Sequence, residues 1–561
     1  MHMFFGKNVP LDLTSEQQDS HLIQPSSPRL MDNAVRLRDC LDAIALTAEL
    51  KRHRRAGMLS SATSRTRLLR RSQAASTCSE FLPYEGSEPA MWNNTLPIAV
   101  IGAGFSGTMT ALHLLRRLPD LPLLLCERSS VFARGAAYST DHPVHLLNVR
   151  SANMSAYPDQ PDHFACWLEE QIAAGPDEIA RHVQDTVVGT FVSRCLYGRY
   201  LTSLVRESIR EDDGALRLRL IPDEVVDLEP TCQGYLLTLA GGRKHAVAGA
   251  VLAVGNLLAD QTRNGPYIDN PWGSALAEGL QPGRPVVIIG TGLTMVDVTM
   301  QLWSSGFAGP VIAISRRGLL PQPHVMSAPW PVPTLDNEQQ HSLSRLVRHI
   351  RQDVAAARKQ GIAWQNVVDS LRPMTSRIWQ RLPEVEQTRF LRHARPWWDV
   401  HRHRTAPPVA QQLRSLIEHN YLSIRAGRIT SVETAAGLAT VTYRPRGGGE
   451  VATLDAQRVV NATGAVPAGD VQSPLLRRLL DRGLVRLDRH HLGLDVTDRL
   501  ETFRASGMVS PRLWALGPVV RGVFWECTAV PDIRRQAVEL ADRVAEDLHP
   551  EAIPVGLVRG G

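Results

Sequence analysis

The sequence contains little cysteine. Its seven cysteines are widely separated, odd in number, and include no pair at CxxC spacing: Cys40, Cys78, Cys126, Cys166, Cys195, Cys232 and Cys527. Disulfide-stapled secreted domains and zinc ribbons need closely spaced cysteine pairs. The sequence therefore excludes both classes and favours a reducing compartment, and we expect no metal site.

Long apolar segments are also missing. No segment approaches the roughly 18 to 20 consecutive apolar residues that span a bilayer. The first residues, Met-His-Met-Phe-Phe, lack the basic-then-apolar order of a secretory signal. With 43% hydrophobic and 21% charged residues over 561 positions, the chain has an ordinary globular composition and room for several domains. We expect a cytoplasmic protein with no membrane span.

An excess of one charge sign occurs in only one segment. The chain has 62 basic and 56 acidic residues, but eight of the basic ones and no acid lie between Lys51 and Ser79. Because the rest is nearly neutral, no basic face indicates a nucleic-acid partner. The Arg- and Ser-rich residues 1–95 are predicted to form a partly disordered N-terminal extension.

A glycine motif begins directly after this extension. Residues 97–102 form a short apolar segment typical of a buried parallel strand, and residues 121–127 form the next. Between them, G-x-G-x-x-G opens a helix; its glycines allow a tight turn, close approach to a pyrophosphate and helix packing. Glu127, 20 positions after the last glycine, suits the ribose hydroxyls. The predicted dinucleotide site comprises Gly102, Ala103, Gly104, Ser106, Gly107, Glu127 and Arg128.

A second strand and glycine turn repeat this pattern near residue 290. Here the third glycine is replaced by Met295, and the following strand ends in two arginines instead of an acid. A pair of guanidinium groups suits the 2′-phosphate of NADPH; the alternative is a solvated loop. The predicted NADPH site comprises Gly290, Gly292, Leu293, Thr294, Arg316 and Arg317.

Two dinucleotide sites in one chain imply hydride transfer between a flavin and a pyridine nucleotide. The sequence therefore predicts an α/β fold with two Rossmann-like domains, for FAD and NADPH, and a largely helical insertion between about residues 331 and 422. The expected divisions are the extension 1–95, a first FAD-binding part 96–282, an NAD(P)H-binding domain with the insertion 283–465, and a return to the FAD-binding domain with a C-terminal tail 466–561.

Several segments resemble a family of bacterial FAD/NAD(P)-binding oxidoreductases related to the flavin-dependent urate hydroxylase and L-aspartate N-monooxygenase. The matching segments are residues 98–107, Gly135-Ala-Ala-Tyr-Ser, His145-Leu-Leu-Asn-Val, Leu196-Tyr-Gly-Arg-Tyr-Leu, Gly290-Thr-Gly-Leu-Thr-Met-Val-Asp and Trp525-Glu-Cys-Thr-Ala-Val-Pro. The resemblance implies that Asn148 lies beside the flavin and that Gly517 and Thr528 close the isoalloxazine pocket. Pro518 stands where many flavoproteins carry an aspartate.

The resemblance also implies a monooxygenase, in which a flavin C4a-hydroperoxide formed with molecular oxygen hydroxylates a nitrogen of a small amine or amino acid. Candidate substrate residues lie in Arg-Pro-Trp-Trp-Asp-Val-His-Arg-His-Arg and are Trp398, His401, His403 and Arg404; this segment could equally be a solvated strand edge. Glu526 could face the flavin.

Two other functions stay open from the sequence. The first is an NADPH-dependent flavoprotein reductase or dehydrogenase without oxygen insertion, although a disulfide reductase is disfavoured because only Cys126 and Cys166 lie in the expected region. The second is a redox-sensing module whose basic extension contacts a nucleic acid or a membrane surface. The substrate, the catalytic acid or base and the oligomeric state are not determined by the sequence.

Overall fold

The computed structural model describes residues 96–174, 187, 189–211, 217–256, 263–272, 276–464 and 473–548. The chain divides into Met1–Leu82 and Pro83–Gly561, and all elements below belong to the second unit. The predicted N-terminal extension lies outside the described residues. Within the described ranges, no helix combines the length and the apolar composition needed to cross a membrane.

The described residues form strands and helices in an alternating order typical of α/β proteins. The strands are β1 (Ile98–Ile101), β2 (Leu123–Cys126), β3 (Leu218–Ile221), β4 (Val225–Pro230), β5 (Tyr235–Leu239), β6 (Lys244–Val247), β7 (Gly249–Leu252), β8 (Arg263–Asn264), β9 (Tyr267–Ile268), β10 (Val286–Ile289), β11 (Val311–Ser315), β12 (Leu422–Ala435), β13 (Leu438–Pro445), β14 (Ala452–Ala456), β15 (Arg458–Asn461), β16 (Glu501–Phe503) and β17 (Val509–Ala515).

The helices are α1 (Phe105–Arg117), α2 (Gly135–Tyr138), α3 (His163–Ala173), α4 (Arg194–Glu211), α5 (Leu293–Ser304), α6 (Asn337–His341), α7 (Leu343–Lys359), α8 (Trp364–Ser370), α9 (Thr375–Arg381), α10 (Glu384–Arg389), α11 (Arg395–Arg402), α12 (Pro407–Glu418), α13 (Pro474–Asp481) and α14 (Val530–Leu548). Short 3₁₀ turns occur at Ser151–Asn153, Arg372–Met374 and Gly517–Val520, and a π-helical turn at Phe390–Ala394.

The first sheet has the strand order β16-β17-β7-β1-β2-β3 and is parallel except for β16. Strands β1, β2 and β7 are buried along their whole length, as their apolar residues predict for a sheet covered on both faces. Strand β1 lies between β2 and β7, and helix α14 packs on α1. Consequently the loop after β1 lies where the strand order reverses, the usual ligand position in such sheets.

The second sheet has the order β14-β13-β12-β11-β10-β15-β9-β8. Its central strands β12, β11, β10, β15 and β9 are parallel, whereas β13, β14 and β8 join antiparallel. A third, antiparallel sheet, β4-β5-β6, precedes β7. The parallel sheets confirm the predicted α/β class, while the predicted domain boundaries stay a prediction.

The segment from α6 to α12 is helical, and aromatic side chains fix it against the C-terminal part of the chain. The Trp379 indole donates to the Gly522 carbonyl (2.8 Å), and the Ser376 hydroxyl donates to the Trp525 carbonyl (2.8 Å). The Trp379 ring packs on Trp525 with centroids 4.9 Å apart. These contacts hold α9 against residues 522–525, and a hydrogen bond from Trp398 to Glu526 places α11 beside the same segment. Because α11 is a helix, the alternative interpretation of its sequence as a strand edge is wrong.

Candidate active site

A cavity of about 430 Å³ lies at the ends of β1, β2 and β7. Six of the residues predicted to bind cofactors line it: Gly102, Gly104, Ser106, Glu127, Arg128 and Thr528. Its volume lies within the usual range of small-molecule sites, roughly 300 to 1,000 Å³. Polar lining residues that the sequence analysis missed include Arg134, Tyr138, Asp223, Asn256 and Ser473.

The glycines of the first motif are required by close contacts. A Cβ atom on Gly102, whose φ is +98°, would lie 2.5 Å from the Ala253 carbonyl oxygen. A Cβ atom on Gly107 would lie 1.8 Å from the Gly102 carbonyl oxygen. The turn is therefore tight and α1 packs closely on β1, as the motif predicts.

Gly135 supports the same turn from the opposite side. Its φ is +55°, and a Cβ atom there would lie 2.9 Å from the Cα atom of Gly104. The sequence reasoning noted Gly135 only through a family resemblance. Its role follows from this contact, which keeps the cavity side of the glycine turn clear of side chains.

Glu127 connects the end of β2 to the glycine turn. The Ala103 N–H donates to Glu127 Oε2 (2.9 Å), and Glu127 lines the cavity. Helix α1 begins beside it, with no acidic residue in its first turn and two arginines in its last. A helix N-terminus of this kind favours a pyrophosphate, and the carboxylate suits ribose hydroxyls. These residues fit a bound dinucleotide.

Gly517 contacts the glycine turn directly, whereas Asn148 lies outside the residues that line the cavity. Gly517 has a φ of +75°, and a Cβ atom there would lie 2.4 Å from Ser106 Oγ. The backbone carbonyl of Asn148 accepts a hydrogen bond from His324 Nε2 (2.8 Å). Pro518 lines the cavity next to Thr528.

The second glycine turn is open toward its helix N-terminus. A Cβ atom on Gly290, whose φ is +111°, would lie 2.7 Å from the Ala462 carbonyl oxygen, whereas one on Gly292 would meet no atom within 4 Å. Leu293 and Thr294 begin α5, and Met295, in place of the third glycine, is fully buried in the core. The turn itself is preserved without the third glycine.

Arginines gather at the end of β11, beside this turn. Burial and the nearby charges of Arg446 and Arg316 lower the pKa of Arg317. The Arg317 guanidinium lies over the Trp397 ring, 5.9 Å from its centroid. Sequence reasoning missed Arg446, which follows β13 and lies far along the chain. Like charges held together in this way favour an anionic group such as a phosphate.

Glu526 is the centre of a buried charged cluster at α11. Its carboxylate accepts a hydrogen bond from Trp398 Nε1 (2.8 Å), lies 3.3 Å from His403 Nε2 and 3.5 Å from Arg402 Nε. Its side chain is 8% exposed, and its backbone φ is +73°, a strained value for a residue other than glycine. The strain persists because three side chains from one short segment hold the carboxylate.

These contacts shift the pKa values of Glu526 and His403 in opposite directions. Burial alone would raise the pKa of Glu526, but His403, Arg402 and Trp398 outweigh it and hold the pKa at about 2. Burial disfavours charged His403, yet Glu526 raises its pKa above the ordinary value. At neutral pH Glu526 is therefore ionised, and its negative charge favours the protonated form of His403.

The structure separates the four predicted substrate residues into two groups. Trp398 and His403 contact Glu526. His401 instead donates from Nδ1 to the Trp397 carbonyl (2.7 Å), packs on Trp364, and has its pKa lowered to about 4 by burial. Arg404 is 1% exposed and bonded to Asp369.

A smaller cavity, of about 80 Å³, adjoins this cluster. Thr528 lines both this cavity and the dinucleotide cavity. Glu526 lines only the smaller one. A molecule bound there would therefore lie close to a cofactor bound in the larger cavity.

Comparison with known proteins agrees with this geometry. Residues 99–257, which contain the first glycine motif, match the family described as FAD-NAD(P)-binding. The match confirms the expected cofactors, FAD and NAD(P), and with them an FAD-dependent oxidoreductase. An uncharacterized protein of Mycobacterium tuberculosis is 24% identical over 528 residues, covering 82% of this chain and 97% of that protein.

Two solved structures resemble most of the chain. L-Lysine 6-monooxygenase from Pseudomonas syringae is 16% identical, with a TM-score of 0.56, covering 81% of this chain and 100% of that one. The ornithine N-hydroxylase of Kutzneria sp. 744, solved with reduced FAD, NADP⁺ and L-ornithine, is 14% identical, with a TM-score of 0.53, covering 80% and 99%. At these identities the likeness shows a shared fold.

Proposed function

We propose that the protein is an FAD- and NADPH-dependent monooxygenase that hydroxylates a nitrogen of an amine or amino acid. The observation that carries the proposal is the small charged cavity, which shares Thr528 with the dinucleotide cavity. It offers a place for a polar substrate at the cofactor. The fold shared with a lysine monooxygenase and an ornithine N-hydroxylase supports the same reaction class.

Different residues of the chain would bind the two cofactors. The glycine turn and the α1 N-terminus would hold the FAD pyrophosphate, and Glu127 its ribose. Arg316, Arg317 and Arg446 would hold the 2′-phosphate that distinguishes NADPH from NADH. Bound FAD would supply hydride acceptance from NADPH and reaction with oxygen, which side chains cannot supply. The buried Trp525 would help to exclude water from the smaller cavity.

The two buried cysteines of the described residues, Cys126 and Cys527, do not suit a thiol-based reductase. Burial raises the pKa of Cys126 to about 12 and raises that of Cys527 further. Reactive cysteines are thiolates with lowered pKa values, so neither thiol suits disulfide exchange. The remaining competitor is a reductase that passes electrons to an acceptor without inserting oxygen.

A stoichiometry measurement tests the proposal. The full-length FAD-loaded protein is supplied with NADPH and oxygen, and a panel of amines and amino acids is screened for NADPH oxidation, oxygen consumption and hydroxylated nitrogen. We expect one substrate class to give these three quantities in equal amounts, and its N-acetylated form, which has a less nucleophilic nitrogen, to give no product. If oxygen is converted only to hydrogen peroxide with every compound, the reductase function is favoured instead.

A further inference from the structure

We propose that the smaller cavity is a carboxylate-binding site, in which Arg521 and Arg395 hold the acid group of the substrate. The inference rests on the proposed function, because it names the class of amine that would be hydroxylated. The substrate would carry a carboxylate in addition to its reacting nitrogen.

The size of the cavity limits what can enter it. At about 80 Å³ it is well below the roughly 300 Å³ of a complete small-molecule site, so it can hold one functional group but no nucleotide. Its lining is mostly ionisable and includes Arg395, Asp399, His403, Arg521 and Glu526. A lining of this kind selects a small polar group.

The charges in the lining leave positive charge to be neutralised. The carboxylate of Glu526 is already in contact with His403, Arg402 and Trp398. Asp399 Oδ2 lies 3.5 Å from Arg395 Nε. Both anionic groups of the cavity therefore have cationic neighbours, and the remaining cation is Arg521.

Arg521 is half-buried, and within the described part of the chain its one hydrogen bond runs from Nε to the Leu492 carbonyl (3.0 Å). Among the residues that the structure describes, no carboxylate is paired with its guanidinium. Burial and the nearby charge of Arg395 lower the pKa of Arg521, and the carboxylates of Asp488 and Asp399 oppose this shift only in part. An entering carboxylate would relieve this repulsion, and the planar guanidinium can bind it with two parallel hydrogen bonds.

The position of Thr528 indicates where the part of the substrate beyond its carboxylate would lie. Because Thr528 lines both cavities, a molecule anchored at Arg521 can extend past it toward the cofactor. The reacting nitrogen would then lie on the cofactor side, separated from the acid group by a short chain. Neutral amines of the same shape would lack the anchor and bind more weakly.

Binding of simple acids tests the site without requiring turnover. The FAD-loaded protein is titrated with acetate, propionate and butyrate and with the matching neutral amides, following tryptophan fluorescence and the flavin absorbance spectrum. We expect the acids to bind at least roughly tenfold more tightly than the amides, the value of one charge-assisted hydrogen bond. Arg521→Ala should remove this preference, and Arg521→Lys, which keeps the charge but loses the planar fork, should retain part of it.

Arg489→Ala is the matched control, because it removes an arginine that is 61% exposed and forms a loose surface ion pair with Glu384, 3.8 Å away. Binding of the acids should not change in this variant. Bound FAD and the thermal midpoint verify that each variant is folded, and Arg395→Ala gives a second test at the same cavity. Equal binding of acids and amides, an unchanged preference in Arg521→Ala, or tighter binding of inorganic phosphate would each overturn the carboxylate site.

Failure of the site and failure of the proposed function give different results. If acids bind through Arg521 but no nitrogen is hydroxylated, the site is supported and the monooxygenase proposal fails. If neutral amines are hydroxylated as well as acidic ones, and equally by Arg521→Ala, the monooxygenase stands and the carboxylate site is refuted.

Discussion

Replacing Glu526 by glutamine tests the charged cluster through stability. The change keeps the size of the side chain but removes the negative charge that His403 and Arg402 contact at 3.3 and 3.5 Å. The hydrogen bond from Trp398 can persist to the amide oxygen. The substitution therefore isolates the charge from the packing.

The magnitude follows from the pKa of Glu526, which is about 2 in the folded protein against an ordinary value of 4.5. Each unit of difference between these two pKa values corresponds to about 1.4 kcal/mol. The ionised carboxylate therefore stabilises the folded state by about 3 kcal/mol. This stabilisation is present above about pH 4.5 and is lost as pH falls toward 2. Because the pKa of His403 is raised, the stabilisation that protonated His403 contributes is lost as pH rises through that raised value.

Thermal unfolding across pH provides the assay. Glu526→Gln should lower the thermal unfolding midpoint by several degrees. The difference in midpoint between wild type and variant should be largest between pH 5 and the raised pKa of His403, and should become smaller at lower and at higher pH. Glu384→Gln serves as control, since Glu384 is 65% exposed and contributes a surface ion pair worth at most about 1 kcal/mol. A gap that is constant with pH, or equal to that of the control, would refute the ionised pair.

Three further predictions concern cofactor binding and packing. Gly135→Ala should lower the ratio of bound FAD to protein, whereas Gly361→Ala, at a similar positive φ but with open space around its Cβ, should retain FAD. Replacing Arg316 and Arg317 together by alanine should weaken NADPH binding by roughly 2 to 4 kcal/mol and NADH binding far less, measured as dissociation constants; equal losses would place the 2′-phosphate elsewhere. Arg194→Met leaves the buried carboxylate of Asp297, 2.8 Å away, without a cation, and because burial already raises the pKa of Asp297 the loss should destabilise the fold by roughly 3 kcal/mol; an unchanged unfolding midpoint would contradict that role.

The parts of the fold that the sequence predicts are those with local signals. Strands β1, β2, β10 and β11 coincide with short apolar segments, and both glycine turns follow their strands directly. Such patterns depend on residues a few positions apart, because burial on both sheet faces requires consecutive apolar side chains. The glycine requirement is local too: at Gly102 and Gly290 the backbone φ is positive.

The rest of the candidate site depends on contacts between distant segments. Arg446 joins Arg316 and Arg317 only because β13 and β11 both pair with β12. The sequence suggested that His401 and His403 act together, but α11 ends at Arg402, so the two rings point to different neighbours. Neither arrangement leaves a periodic signal in the chain.

The strained residue Glu526 lies in a short loop that borders both cavities. A non-glycine residue at φ +73° persists where its surroundings overdetermine it, at a cost of roughly 1 to 3 kcal/mol. The contacts that hold it come from α11 and the residue after it, which also place Arg395 and Asp399 in the smaller cavity. Two residues further on, Thr528 lines the dinucleotide cavity. Residues 525–528 therefore contribute to the smaller cavity through Trp525 and Glu526 and to both cavities through Thr528, so the strain at Glu526 is held where α11 meets the dinucleotide cavity.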